Sequence, residues 1–125
     1  MSEETLETLI SDYVKNLNVI LEITKKYDFI CADKHIERVN RIANTNLVLA
    51  KRVIVEAHEE IKKYKTDIVK NNYDCFNGKK LDLFEKDISD FMSVKWKSFD
   101  ESDKKIVFRM LKLMFNLGAK IIKKK

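Results

Sequence analysis

Proline is absent from this sequence, and glycine occurs only twice, at Gly78 and Gly118. Both residues punctuate loops, so their scarcity predicts few, long elements. Two glycines also exclude the Gly-rich loops that cradle phosphates, which need several at fixed offsets. Two cysteines, Cys31 and Cys75, are too few for a disulfide framework or a four-ligand zinc site. They are expected to be free thiols, buried or half-buried. Histidine also occurs only twice, at His35 and His58. The residues three before them are Ala32 and Val55, so the Glu-x-x-His pairs of metal-binding bundles do not occur. "AHEEI" lacks the second histidine of a zinc-protease helix. No metal or cofactor is expected. No run reaches the 18 or so apolar residues of a membrane span. The longest candidate, "IVFRMLKLMFNLGAKII", is interrupted by Arg109, Lys112 and Lys120. The opening "MSEETLETLI" is acidic, the opposite of a secretory or transit signal. A cytoplasmic location is therefore expected, meaning host cytosol or nucleus if the source is viral.

What the chain does have is charge and helix-forming residues. It is 125 residues long, 45% hydrophobic and 36% charged. That length fits one domain able to bury a core without staples. Lysine, glutamate, leucine and isoleucine dominate, a helix-leaning mixture. The excess of lysine over arginine, with abundant isoleucine and asparagine, fits A/T-rich codons and suggests an A/T-rich genome, such as that of a large DNA virus or an A/T-rich parasite or bacterium. Charge is unevenly placed. Residues 1–60 carry 8 Lys/Arg against 11 Asp/Glu, and residues 61–125 carry 17 against 9. A basic second half suggests contact with something anionic.

Apolar residues recur at helical spacing in four stretches. Leu6, Ile10, Tyr13, Leu17, Ile20, Thr24 and Tyr27 predict a first helix over about 3–28, with Ser2 as its cap. Asp33 is the expected cap of a second helix, about 33–71 and about 57 Å long. Its weak point is Asn44–Asn46, where side chains compete for backbone hydrogen bonds. A loop over 71–80 leads to a third helix, about 79–94. Ser98 and Glu101 have capping-box spacing, with Asp100 as a rival cap for a fourth helix over about 101–122. Its expected stripe is Ile106, Met110, Leu113, Leu117 and Ile121, broadened by Val107, Met114 and Ile122. The fold expected is all-α, an antiparallel four-helix bundle-like domain with a long central second helix.

Within that second helix Ala43, Ala50 and Ala57 fall seven apart, beside a row of Leu47, Ile54 and Ile61. Methyl groups at core positions let a neighbouring helix approach to about 8 Å. The pattern predicts a close-packed seam, with the first helix as the obvious neighbour. Val48, Leu49, Val53 and Val55 are apolar off the seam, so other helices or a second copy of the chain must cover them. A protein partner, a homodimer or both are expected.

The remaining chemistry is thin. His58 follows Arg52 by six residues and sits before Glu59 and Glu60, which reads as a solvated side chain. Lys62, Lys63, Lys95, Lys97, Lys120, Lys123, Lys124 and Lys125 are candidate phosphate contacts, and Trp96 between two lysines is a candidate for stacking on a base. The residues point to a non-catalytic assembly or adaptor protein working by protein contact. A sequence-nonspecific nucleic-acid accessory protein is the alternative. A membrane partner is not expected.

Overall fold

The computed structural model describes residues 5–76 and 86–124, with side chains described outside positions 86 and 87. Among these residues every element is helical. The helices are α1 (Leu6–Thr24), α2 (Ala32–Thr45), α3 (Leu47–Lys62), α4 (Lys65–Val69), α5 (Lys86–Lys95) and α6 (Glu101–Lys123). Short 3-10 turns occupy Lys25–Tyr27, Tyr73–Phe76 and Trp96–Ser98. The expected start of the third helix at 79, and Ser2, Lys79, Lys80 and Lys125, lie outside the described residues.

The expected rod from 33 to 71 is broken, and the break falls on Asn46. This residue is extended, at φ −147° and ψ 83°. Its N–H donates to the Ile42 carbonyl at 2.9 Å, closing α2, while its side chain accepts from Leu49 N–H at 3.1 Å, opening α3. One asparagine thus caps two helices. Thr45 bends back onto the Arg41 carbonyl at 2.6 Å, the competing bond that threonine favours. A second interruption follows at Lys63 and Tyr64, whose N–H groups turn to the Glu60 and Ile61 carbonyls three residues back. The long central helix is therefore three segments.

Other caps also differ from expectation. Thr5 caps α1 by accepting from Thr8 N–H at 3.1 Å. Asp33 lies inside the first turn of α2 and pairs with Lys25 instead of capping. Ser98 closes a 3-10 turn, and Asp100 holds the cap position of α6 without a side-chain cap bond. Asp100 N–H donates instead to the Tyr27 hydroxyl at 2.7 Å. That hydroxyl donates on to Asp103 Oδ2 at 2.6 Å, and Lys26 reaches Asp103 Oδ1 at 3.1 Å. The Tyr27 ring stacks flat on Phe99 at 4.0 Å. This cluster ties the end of α1 to the start of α6. The Tyr27 hydrogen bond holds the Asp103 carboxyl below its usual range, with Lys26 helping.

α1 packs chiefly on α6 and α2, and α3 packs chiefly on α6. Asn18 and Asn40 bridge α1 and α2 at 2.8 Å. Leu9, Ile10, Tyr13, Val14, Leu17, Ile20 and Leu21 of α1 are buried. On α6 the buried stripe is Val107, Leu111, Met114, Gly118 and Ile121, with Phe108 beside it. It is rotated by about one residue from the expected one, and Leu113 is exposed. The helix is apolar on two adjacent faces, and Asp103 and Gly118 decide between them.

An aromatic cluster closes one end. Trp96 is fully buried, with Phe108 at 5.8 Å, Phe76 at 5.5 Å and Phe99 at 5.3 Å, and its indole N–H donates to the Tyr73 carbonyl. Its packing rules out stacking on a base in this fold.

Candidate functional site

The alanine row is inside. Ala50 and Ala57 are buried on α3, and Ala43 on α2. Ile54 and Ile61 are fully buried, and Leu47 is half-buried. A close contact between α3 and α6 lies one residue beyond this row, at His58. A Cβ added to Gly118 would meet His58 Nδ1 at 2.6 Å, so glycine at 118 is what admits the imidazole between α3 and α6. Phe115 packs on the same ring at 4.9 Å. His58 is thus buried, not solvated, and desolvation holds it below its ordinary basicity. The partner of α3 at this point is α6, not the first helix.

The valines fall elsewhere. Val48 is 83% exposed, and Leu49, Val53 and Val55 are half-buried. Leu6, Leu47, Val48, Lys51, Arg52, Val55 and Glu56 line an open groove of about 680 Å³ between the start of α1 and the outer side of α3. An aliphatic side chain left in water loses the roughly 1.5–3 kcal/mol that burial would contribute. Val48 and Val55 stand with Arg52 on one outward line. Lys51 reaches across to the Lys124 carbonyl and so ties the groove wall to the end of α6. Sequence reasoning selected Val48 and Val55 but missed Leu6, Lys51, Arg52 and Glu56. The available signal was helical: 48, 52, 55 and 56 share one face.

The basic residues are dispersed. Lys62 and Lys63 are exposed at the end of α3, where Lys63 pairs with Glu60 at 2.9 Å. Lys95 and Lys97 flank the buried Trp96. Lys120 and Lys123 are exposed and Lys124 half-buried at the far end of α6, about 30 Å along that helix from its start at Glu101. A smaller groove of about 290 Å³ brings Lys65 and Lys112 together with Ile68, Val69, Phe115 and Asn116. Lys65 lies 5.2 Å from the Phe115 ring centre, and Lys112 donates to Asn71 Oδ1 at 2.8 Å.

Cys31 is exposed and Cys75 half-buried, so the expectation of a buried thiol fails at Cys31, which precedes the first turn of α2. Among the described residues no group of three or more His, Cys, Asp or Glu is placed to hold a metal ion, and no helix is long and apolar enough to cross a membrane. No protein-family model, curated protein or solved structure matches the chain.

Proposed function

We propose that this domain is a non-catalytic interaction module, a bundle-like helical scaffold that assembles with protein through the outer side of α3. The observation that carries this reading is Val48, 83% exposed at the lip of an apolar groove whose rim is charged. Large apolar side chains rimmed by polar ones mark contact surfaces. The test is covalent cross-linking in the native source followed by mass measurement of the complexes. Val48→Asp with Val55→Asp should abolish a complex that the wild-type chain forms. A complex indifferent to both substitutions would end this reading.

The second reading, a nucleic-acid accessory role, is favoured by one observation: Lys65 and Lys112 converge on the groove beside Phe115. Binding would be sequence-indifferent and steeply weakened by salt, because counterion release would drive it. Replacing Lys65 and Lys112 with Gln should flatten the salt slope. Absence of binding to single- and double-stranded DNA and RNA at low salt would dismiss it.

A further inference from the structure

The outward line of α3 continues past the groove. Val48, Arg52, Val55, Glu59 and Lys62 follow one another at steps of four, three, four and three, the spacing of a coiled-coil seam. Val55 is half-buried and the other four are exposed. Among the described residues the side chains of Arg52, Glu59 and Lys62 make no ion pair or hydrogen bond. Read forward the line is Val, Arg, Val, Glu, Lys; read backward it is Lys, Glu, Val, Arg, Val. Laid against its own reverse, it sets Arg52 opposite Glu59 twice, Val55 opposite Val55, and Val48 opposite the aliphatic stem of Lys62, a stem that can cover apolar surface while its amine stays in water.

We propose that the occupant of this face is a second copy of the chain, docked antiparallel through α3 about a two-fold axis at Val55. The proposal rests on the reading of the outer side of α3 as a contact surface and names its partner. A two-fold contact must be self-complementary, and the reversed order of charge along this line meets that condition. A uniformly acidic helix would satisfy Arg52 but oppose Glu59, and a uniformly basic one would do the reverse. An axis at the middle of the groove would set Lys51 and Arg52 against their own copies. An axis at Val55 avoids this and pairs Arg52 with carboxylate. The two Val48 side chains then lie about 21 Å apart along the helix pair, while the two Val55 side chains meet.

Two experiments on the full chain test this. The first is sedimentation equilibrium on charge-reversal variants, with helicity checked by circular dichroism. Arg52→Glu or Glu59→Arg alone should weaken the dimer by roughly tenfold or more, and the two together should restore it. The second uses a chain carrying Cys31→Ser and Cys75→Ala, with one cysteine returned at 55 or at 48. Oxidation should link two copies through Val55→Cys and not through Val48→Cys. A chain that stays monomeric at several hundred micromolar, a double reversal that fails to recover, or equal linking at 48 and 55 would overturn the proposal. If the chain is monomeric yet the cross-linked native complex still depends on Val48 and Val55, the second copy is overturned and the contact surface stands. If neither responds, both fall.

Discussion

α1 and α3 are similar in length and both rich in aliphatic residues, yet they spend them differently. α1 lies between α2 and α6 and buries Leu9, Ile10, Tyr13, Val14, Leu17, Ile20, Leu21 and Ile23. α3 leans mainly on α6 and buries Ala50, Ile54, Ala57, His58 and Ile61. Its valines stay partly or wholly outside. Apolar content alone therefore does not decide what is core; the number of covering neighbours does. Where α3 meets α6, Gly118 makes room for the His58 ring, on which Phe115 also packs. On the proposed reading, stability and interaction fall on opposite sides of one helix.

Substitutions can break this comparison. The largest effect is expected at the aromatic end. Trp96→Ala should cost about 3–5 kcal/mol in denaturant unfolding, because it empties a fully enclosed site and orphans the Tyr73 carbonyl. A cost below about 1 kcal/mol would show that this end is not the anchor.

Next comes the seam between α3 and α6. Gly118→Ala gains roughly 1 kcal/mol of helix propensity but drives a methyl group into His58. Overpacking of this kind costs about 1–3 kcal/mol, so the net should be destabilising. In a His58→Ala background the same substitution should become neutral or favourable. Ala50→Leu should likewise destabilise by about 1–3 kcal/mol, since Ala50 is fully enclosed. Unchanged melting midpoints would remove close packing from the account.

Two titrations follow, with smaller effects. Burial lowers the basicity of His58. Its unfolded value near 6.5 is then the higher one, so the neutral form contributes stability above that pH, and this is lost as pH falls through the folded value. His58→Gln should flatten the fall in stability between pH 7 and 5. Asp103 behaves as a carboxylate held low by Tyr27 and Lys26. Its stabilisation is present above about pH 4 and is lost as pH falls through the folded value. Tyr27→Phe should remove much of that dependence, which acid titration of the melting midpoint would read. The smallest stability effect belongs to the outer side. Val48→Asp should change unfolding free energy by no more than about 0.5 kcal/mol.

Much of the helical layout was legible in the residues. The stripe of α1, the span of α6 and the risk at Asn44–Asn46 all follow from spacing and side-chain chemistry. The phase of α6 was not legible, because Ile106 and Val107 begin equally good stripes. The choice depends on Tyr27, 76 residues before Asp103, and on His58 reaching Gly118. Long-range contacts of this sort leave no local pattern. Trp96 misled because two flanking lysines resemble a binding face, while its burial is set by Phe76 and Phe108 from other segments. The outer valines were visible, but their charged companions Arg52 and Glu59 gained meaning only once α6 was known to cover the opposite side.

The central claim is that α3 keeps its outer side open for a partner while α6 holds its inner side. The direct measurement is the maleimide labelling rate of Val48→Cys in a chain carrying Cys31→Ser and Cys75→Ala. In dilute isolated protein the rate should approach that of a free thiol, and in the complex formed in the native source it should fall by at least roughly tenfold, as a buried interface excludes solvent. Slow labelling in the dilute protein would show that Val48 is already covered within the chain. An equal rate in the complex would show that the partner sits elsewhere. Either result contradicts the account.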